Sequence, residues 1–475
     1  MKKSIFLFSI SLCLFVSGVD GQSMQSYNLE RLSSEFYKAN RDRLRAEMPD
    51  SAVAIFFSAE LKNRNNDVDY LFRQESNFLY LTGHLEPESV LILSKNSIGF
   101  DSLGGERGKE FLFVLPRDPQ SETWNGRRLG AEGAVRELQF EHAYINTKLE
   151  LAMKELISKC GSEVKTVFFA IPKVYNKTDD EVQTKRQKQV VTLFQIDSLS
   201  AKVRLRNIVP VLSKLRVEKQ PEEIKAITEV TEISALAHKE AMRSCEVGLY
   251  EYSLAAAAEF VFKSRGCSYP GYPSIVGSGE NATILHYQTT RKRLQNGELI
   301  VMDMAGELRG YSSDVTRTIP VSGKFSKEQR EIYALVLKAQ EAAIKACRKG
   351  VSFLEPNRIA MDIMAEGLIK LGIIQNAEQL GQYSLHFISH HVGLDVHDPM
   401  SPTFNLNHTF TIEPGIYIPE GSPCDPKWWK IGVRIEDVVL VTDGEPKVLS
   451  NQAPKSINAI EKLMREKGIA NLQIK

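Results

Sequence analysis

Apolar runs and polar breaks divide the chain into two unlike parts. Between about 27 and 180, the runs SAVAIFF, SVLILS, FLFVLP, ELQFEHAYI and TVFFAIP alternate with polar turns and with the helical period of LELAMKELISK. Short apolar runs bounded by turn residues predict strands, and the mixture predicts an N-terminal mixed α/β domain. The polar stretch KVYNKTDDEVQTKRQKQ then predicts a loop leading into a connecting helix, so 181–220 is expected as the connector. Pro221 suits the first turn of a helix, with Glu222 and Glu223 at its positive end. Ile224, Ile227, Val230 and Ala237 follow at near-helical spacing. From 221 to 455 helices alternate with strand pairs, and 456–475 reads as a terminal helix and tail. The fold class is α/β (α+β) in two domains, as a length of 475 residues also suggests.

Two segments of the second part echo each other. ELIVMDMAGELRGYSSDVTRTIPV is a strand, a turn and a strand with Asp303 and Asp314, one in each strand. TFTIEPGIYIPEG and GVRIEDVVLV repeat the plan with Glu413 and Glu436. The echo hints at two related halves. A single acid in an apolar strand ordinarily marks an edge facing solvent. Four converging in a core could not all ionise, because like charges a few ångströms apart drive protonation. Two divalent cations would balance them. Period-two geometry puts Arg434 on the face of Glu436 and Asp437 on the opposite one. Arg434 is thereby placed to orient a carboxylate around a metal, with a surface salt bridge as the alternative.

HFISHHVGLDVHD holds His386, His390, His391 and His397, four of the nine histidines within twelve residues. Phe387 stands where a HExxH motif needs its glutamate, so this is not a zincin. One imidazole among carboxylates makes an oxygen-rich site that suits manganese, cobalt or magnesium better than a closed structural zinc site.

In this ordered set the chain resembles the pita-bread metallopeptidases, and within them the aminopeptidase P (Xaa-Pro aminopeptidase) family. The resemblance runs from about Val53 to Val448. It rests on DVDYLFRQESNFLYLTGHLEPESVLIL in the first part, then GSGENATILHY, SSDVTRTIPVSGKF, VGLDVHD, TIEPGIYI and GVRIED in the family's order. It implies a non-catalytic N-terminal domain and a catalytic pita-bread domain with pseudo-two-fold symmetry. It also implies a two-metal centre, with manganese expected and cobalt, zinc or magnesium as alternatives. Asp314 and Glu436 would bridge both ions, Asp303 would bind one, and His390 with Glu413 the other. His286 would face substrate, His397 would contact the scissile carbonyl or its oxyanion, and His386 and Arg434 would support the centre. Glu413 would also pass a proton from the attacking hydroxide to the departing proline nitrogen. His391, His238, His142, His84 and His408 match nothing catalytic. The chain departs from the family pattern at Ala305, at Phe387 and Ile388, and in NLNHTFTIEPG, which lacks the usual glycine turn. These departures touch pocket shape and not the ligands.

The implied reaction is removal of the first residue from peptides with proline at position two. Prolidase, which shares both domains, is the nearest alternative; a peptide-binding module that has lost its metals is an alternative of another class. Methionine aminopeptidase is set aside for want of the large first domain. Net charge of +1 leaves no field to attract nucleic acid or anionic membrane. Lys2 and Lys3, an apolar run from Ile5 to Val16 and small residues through Gly21 have the order of a cleavable secretory signal over 1–21. A dozen apolar residues cannot span ~30 Å of hydrocarbon. The product is expected in the periplasm or outside the cell, free of the membrane. Its remaining cysteines are expected mainly as buried free thiols, and the family resemblance implies a homodimer or homotetramer.

Overall fold

The computed structural model describes residues 31–169 and 203–471. The expected signal, Cys13 and the part of the expected loop and connecting helix that falls within 170–202 lie outside the described residues.

AVAIFF, apolar at every position, forms the strand Ala52–Phe57 inside a six-stranded mixed sheet. The sheet runs His142–Ile145, Arg107–Val114, Val90–Gly99, Ala52–Phe57, Thr166–Phe169, Arg204–Asn207. A strand covered on both faces can be apolar throughout. Ala52, Ala54 and Phe56 pack beneath the helix Ser34–Glu47 through Phe36, Tyr37 and Leu44. Val53, Ile55 and Phe57 pack on the other face against Leu149, Ala152, Met153 and Leu156. Those four lie on Leu149–Lys159, the helix that LELAMKELISK predicts. ELQFEHAYI yields a strand only over its last four residues, because Gly130–Leu138 is helical. The edge strand Arg204–Asn207 comes from the segment expected as connector. Its four residues are exposed, so it carries no apolar signal to read.

The second part is built twice over. Pro221–Ser244 and Glu251–Ser264 are followed by the antiparallel strands Ile275–Ser278, Leu299–Asp303 and Thr316–Pro320. Lys327–Ala346 and Glu355–Lys370 are followed by Thr409–Ile412, Gly415–Ile418, Ile431–Arg434 and Asp437–Leu440. Pro221 occupies the first turn of its helix, and Gln220 and Glu223 close a capping box there. The halves share one large core, in which Ile300, Ile319, Ile412, Ile416 and Val433 are buried together. Asn407 takes φ +64° in the turn before Thr409, the left-handed role that glycine would otherwise fill. Ile227, Val392, Leu394 and Val438 join the apolar cluster beneath the N-terminal sheet, so the two parts are packed into each other. Among the described residues no helix is long and apolar enough to cross a membrane. Cys160, Cys245, Cys267 and Cys347 are buried free thiols, and Cys424 is free and half-buried.

Candidate metal centre

Each of the four acids sits where a pair of antiparallel strands breaks. Asp303 ends its strand opposite Thr316, and beyond it the Met304 N–H still reaches the Val315 carbonyl at 3.1 Å. In the second half Ile412 faces Asp437 and Gly415 faces Arg434, leaving Glu413 and Glu436 in the gaps between. A break turns a side chain out of strict alternation, which lets Asp303 at a strand end and Asp314, Glu413 and Glu436 between strands come together. The halves meet there: the Glu436 N–H donates to the Thr316 carbonyl at 3.0 Å. His238 stands behind the first break, its Nε2 3.0 Å from the Met304 carbonyl and 2.8 Å from that of Val315. The segment 388–392 runs beside Thr409–Ile412, with Thr411 N–H on the His390 carbonyl and Glu413 N–H on that of Ile388, both at 2.8 Å. His390 is thereby set beside Glu413.

Asp314, His390 and Glu436 each offer a ligand atom within 4.8 Å of the other two, a cluster able to hold a metal ion. His390 Nε2 lies 3.4 Å from Asp314 and 3.5 Å from Glu413. Its Nδ1 lies 3.1 Å from the His391 carbonyl. That contact places a proton on Nδ1, so Nε2, which faces the acids and gives up its own proton when a metal binds, is the nitrogen able to act as ligand. Asp303 joins through Tyr272, whose hydroxyl reaches Asp303 and, at 2.6 Å, Asp314. Arg434 donates to the other Asp303 oxygen at 2.8 Å. Its remaining N–H groups reach the Tyr417 hydroxyl at 3.0 Å and Thr316 Oγ1 at 3.2 Å.

The electrostatics show a site short of positive charge. Burial lifts Asp303 to about 6 against the pull of Arg434, and lifts Glu413 to about 7 against that of His390. Burial and the neighbouring carboxylates carry Glu436 well above the ordinary range. Burial also pushes Asp314 up, but its hydrogen bond to His390 and the imidazolium charge outweigh that and hold it below its usual value. Burial disfavours a charged His390, yet Asp314 and Glu413 raise it to about 9. One tyrosine proton cannot serve two carboxylates, and one guanidinium cannot neutralise four. Divalent cations would. Four carboxylates, one free imidazole nitrogen and a second set of groups already holding them fit such ions.

All five expected ligands therefore converge, and all four acids face inward. Arg434 orients Asp303 and is not a surface salt bridge, while Asp437 on its opposite side pairs with buried Arg317. His386 lies 3.7 Å from Glu413 and 2.8 Å from the Tyr417 hydroxyl. Burial, then the Arg434 charge, lowers it to about 4. The His397 ring stands edge-on to His390 at 4.2 Å between centroids and is exposed on its outer side. His286 is exposed and follows Leu285, whose carbonyl accepts from Arg434 at 3.3 Å. Of the histidines set aside, His84, His238, His391 and His408 are buried. Sequence reasoning missed Tyr272, Tyr417, Thr316 and the propping role of His238. Thr316, two residues past Asp314 in SSDVTRTIPVSGKF, and Tyr417 in TIEPGIYI lay inside motifs that pointed to the site; Tyr272 and His238 did not.

Metallopeptidase family M24 matches residues 225–443, and the aminopeptidase P N-terminal domain matches 37–166. The Xaa-Pro aminopeptidase of Haemophilus influenzae is 35% identical over 93% of this chain and 100% of its own length. A solved aminopeptidase from Pseudomonas aeruginosa superposes with TM-score 0.82 at 33% identity, covering 92% of this chain and 98% of that one. Aminopeptidase P from Escherichia coli, solved with the inhibitor Pro-Leu, gives TM-score 0.82 at 32% identity over 92% and 99%. Fold and site together define a two-domain metallopeptidase of the pita-bread type. The chain belongs to the Xaa-Pro aminopeptidase family.

Proposed function

We propose that this protein is a metal-dependent aminopeptidase that hydrolyses the bond between the first residue of a peptide and a proline at position two. The observation that carries the reading is the convergence of four acids and His390, deficient in positive charge, with His386 3.7 Å from Glu413 and the His397 ring 4.2 Å from that of His390. It lies on a chain that matches Xaa-Pro aminopeptidases along nearly its whole length.

Asp303 would hold one divalent ion and His390 with Glu413 another, with Asp314 and Glu436 shared; the oxygen-rich set favours manganese. When bound, such ions supply the charge that acidifies water and polarises a carbonyl. The protein does the rest. Arg434 and Tyr272 fix Asp303, and Thr316 fixes Glu436. Glu413 takes the proton of the attacking water and delivers it to the departing proline nitrogen. An amide nitrogen cannot leave as an anion, and this one carries no N–H, so the proton that Glu413 delivers completes the secondary amine of the departing proline. His397 donates to the developing oxyanion, a role whose loss typically costs about 10²–10³ in turnover. His286 lines the approach of the peptide. The acids also attract a free α-amine, which confines cleavage to the first bond.

Export through the 1–21 signal and a dimeric or tetrameric assembly complete the proposal. The mass of the mature N-terminus and light scattering of the purified protein test them. For the activity, Gly-Pro-Pro, Gly-Pro and Gly-Ala-Pro are assayed after manganese loading and again after chelation. Cleavage of the first alone or best, abolished by chelation, is the expected result. Preference for Gly-Pro makes the protein a prolidase, and equal cleavage of Gly-Ala-Pro removes the proline requirement.

A further inference from the structure

Asp398, the residue after His397, is almost fully buried, and it is buried as a charge. Arg216 donates to one of its oxygens at 2.5 Å and Lys219 to the other at 2.8 Å. Both cations belong to the stretch before the helix Pro221–Ser244, far from Asp398 in sequence. The Asp398 N–H donates to the His391 carbonyl at 2.9 Å, and its carboxylate accepts the Asp395 N–H at 3.2 Å. The loop 391–398 is thus closed on itself at its base, with His397 at the closure.

The same loop is gripped from the N-terminal domain. Arg216 also donates to Asp395 at 2.7 Å and to Asn77 at 2.8 Å. Ser76 donates to the other Asp395 oxygen at 2.6 Å, and Arg73 to the Leu394 carbonyl at 2.6 Å. Removing one partner from a buried ion pair is costly, so such a triad fixes geometry more than it adds net stability. His397 is exposed and has no hydrogen bond among those described. Its position comes from its backbone.

We propose that Asp398, clamped by Arg216 and Lys219, is a positioning residue for His397, and that through Arg73, Ser76 and Asn77 the N-terminal domain sets the aim of that histidine. The inference rests on the role given to His397 above. A misplacement of about 1 Å in a catalytic group costs up to about 10²-fold in rate, and loss of a supporting partner typically costs about 10–100-fold.

The test is a double-mutant cycle in the full-length, manganese-loaded enzyme. Asp398→Asn is expected to lower kcat about 10–100-fold on Gly-Pro-Pro, with KM and bound metal unchanged, and to cause no further loss in a His397→Ala background. Equal losses in both backgrounds, or loss of metal, would overturn the proposal. If Asp398→Asn does not fold, Asp395→Asn at a half-exposed carboxylate replaces it, with a smaller loss and the same disappearance when residue 397 is alanine. If His397→Ala alone keeps the wild-type kcat, the role of His397 fails instead, and the two failures are told apart.

Discussion

Thr316 donates its hydroxyl to Glu436 at 2.8 Å, so a strand of the first half of the catalytic unit holds a carboxylate of the second. The same oxygen accepts from Arg434 Nε at 3.2 Å, and Arg434 in turn holds Asp303. One buried hydroxyl therefore links two expected ligands that lie on different strands. Thr316→Val keeps volume and β-branching but removes both bonds. It is expected to weaken metal binding about 10–100-fold and to destabilise the fold by about 1–3 kcal/mol for the groups left unpaired. Titration calorimetry with manganese and denaturant unfolding measure the two effects separately.

Ligands and catalytic groups should separate by what their loss removes. Asp314→Ala or Glu436→Ala takes away an acid at the centre of the cluster. Each is expected to abolish tight metal binding and nearly all hydrolysis. His397 stands 4.2 Å from the His390 ring without entering the acid cluster. His397→Ala should keep its metal and lose about 10²–10³ in kcat. Metal content by mass spectrometry, set beside hydrolysis of Arg-Pro-Pro, distinguishes the two classes. Wild-type cleavage by Glu436→Ala would undo the assignment of that residue.

Asp303, Glu413 and Glu436 were legible because a carboxylate in LIVMD, TFTIE or VRIED contradicts its apolar surroundings; Asp314 was read with them, and His390 was picked from four clustered histidines by the family resemblance. The helix 149–159 and the strand 52–57 were legible because burial on a defined face leaves a periodic trace. Tyr272 and Tyr417 were not, since a tyrosine looks like core until a fold brings its hydroxyl to Asp303, as in Tyr272, or to His386 and Arg434, as in Tyr417. His238 lies mid-helix, and its value comes from two carbonyls more than sixty residues away. Asn407 hid a turn because it takes a backbone conformation usually signalled by glycine. Exposed Arg204–Asn207, with Leu205 its one apolar residue, gave no pattern, its strand being made by backbone pairing with Thr166–Phe169 alone.

Gly432 is required by a close backbone approach. A Cβ there would lie 2.0 Å from the Ala282 carbonyl oxygen, which no side-chain rotation can relieve. Ala282 belongs to the turn Gly279–Thr283, just ahead of His286, and the Leu285 carbonyl accepts from Arg434 at 3.3 Å. Gly432→Ala must push this turn outward and shift His286 with it. The expected cost is about 1–3 kcal/mol of stability, typical of overpacking, together with a fall in kcat/KM for tripeptides. Unchanged values of both would show that the turn moves freely.

His84 and Glu86 of the N-terminal domain should give the stability curve two opposing slopes. Burial lowers His84 to about 3, and its Nε2 contacts Ser89 at 3.0 Å. A histidine held neutral in the fold but titrating near 6.5 when unfolded costs nothing above that pH. Below it, the unfolded chain gains protons and stability falls, by up to about 1.4 kcal/mol per pH unit. Burial raises Glu86 to about 7, so its contribution has the reverse sign: it is present below about 4.5 and lost as pH rises through 7. Between pH 4.5 and 6.5 the two largely cancel. Glu86→Gln leaves the histidine slope alone, so this variant should lose stability relative to wild type on going from pH 6.5 to 5. His84→Gln leaves the glutamate slope and should gain over the same interval. Urea midpoints of the three proteins at the two pH values decide it; parallel shifts in both variants would mean that neither group is held in its neutral form by the fold.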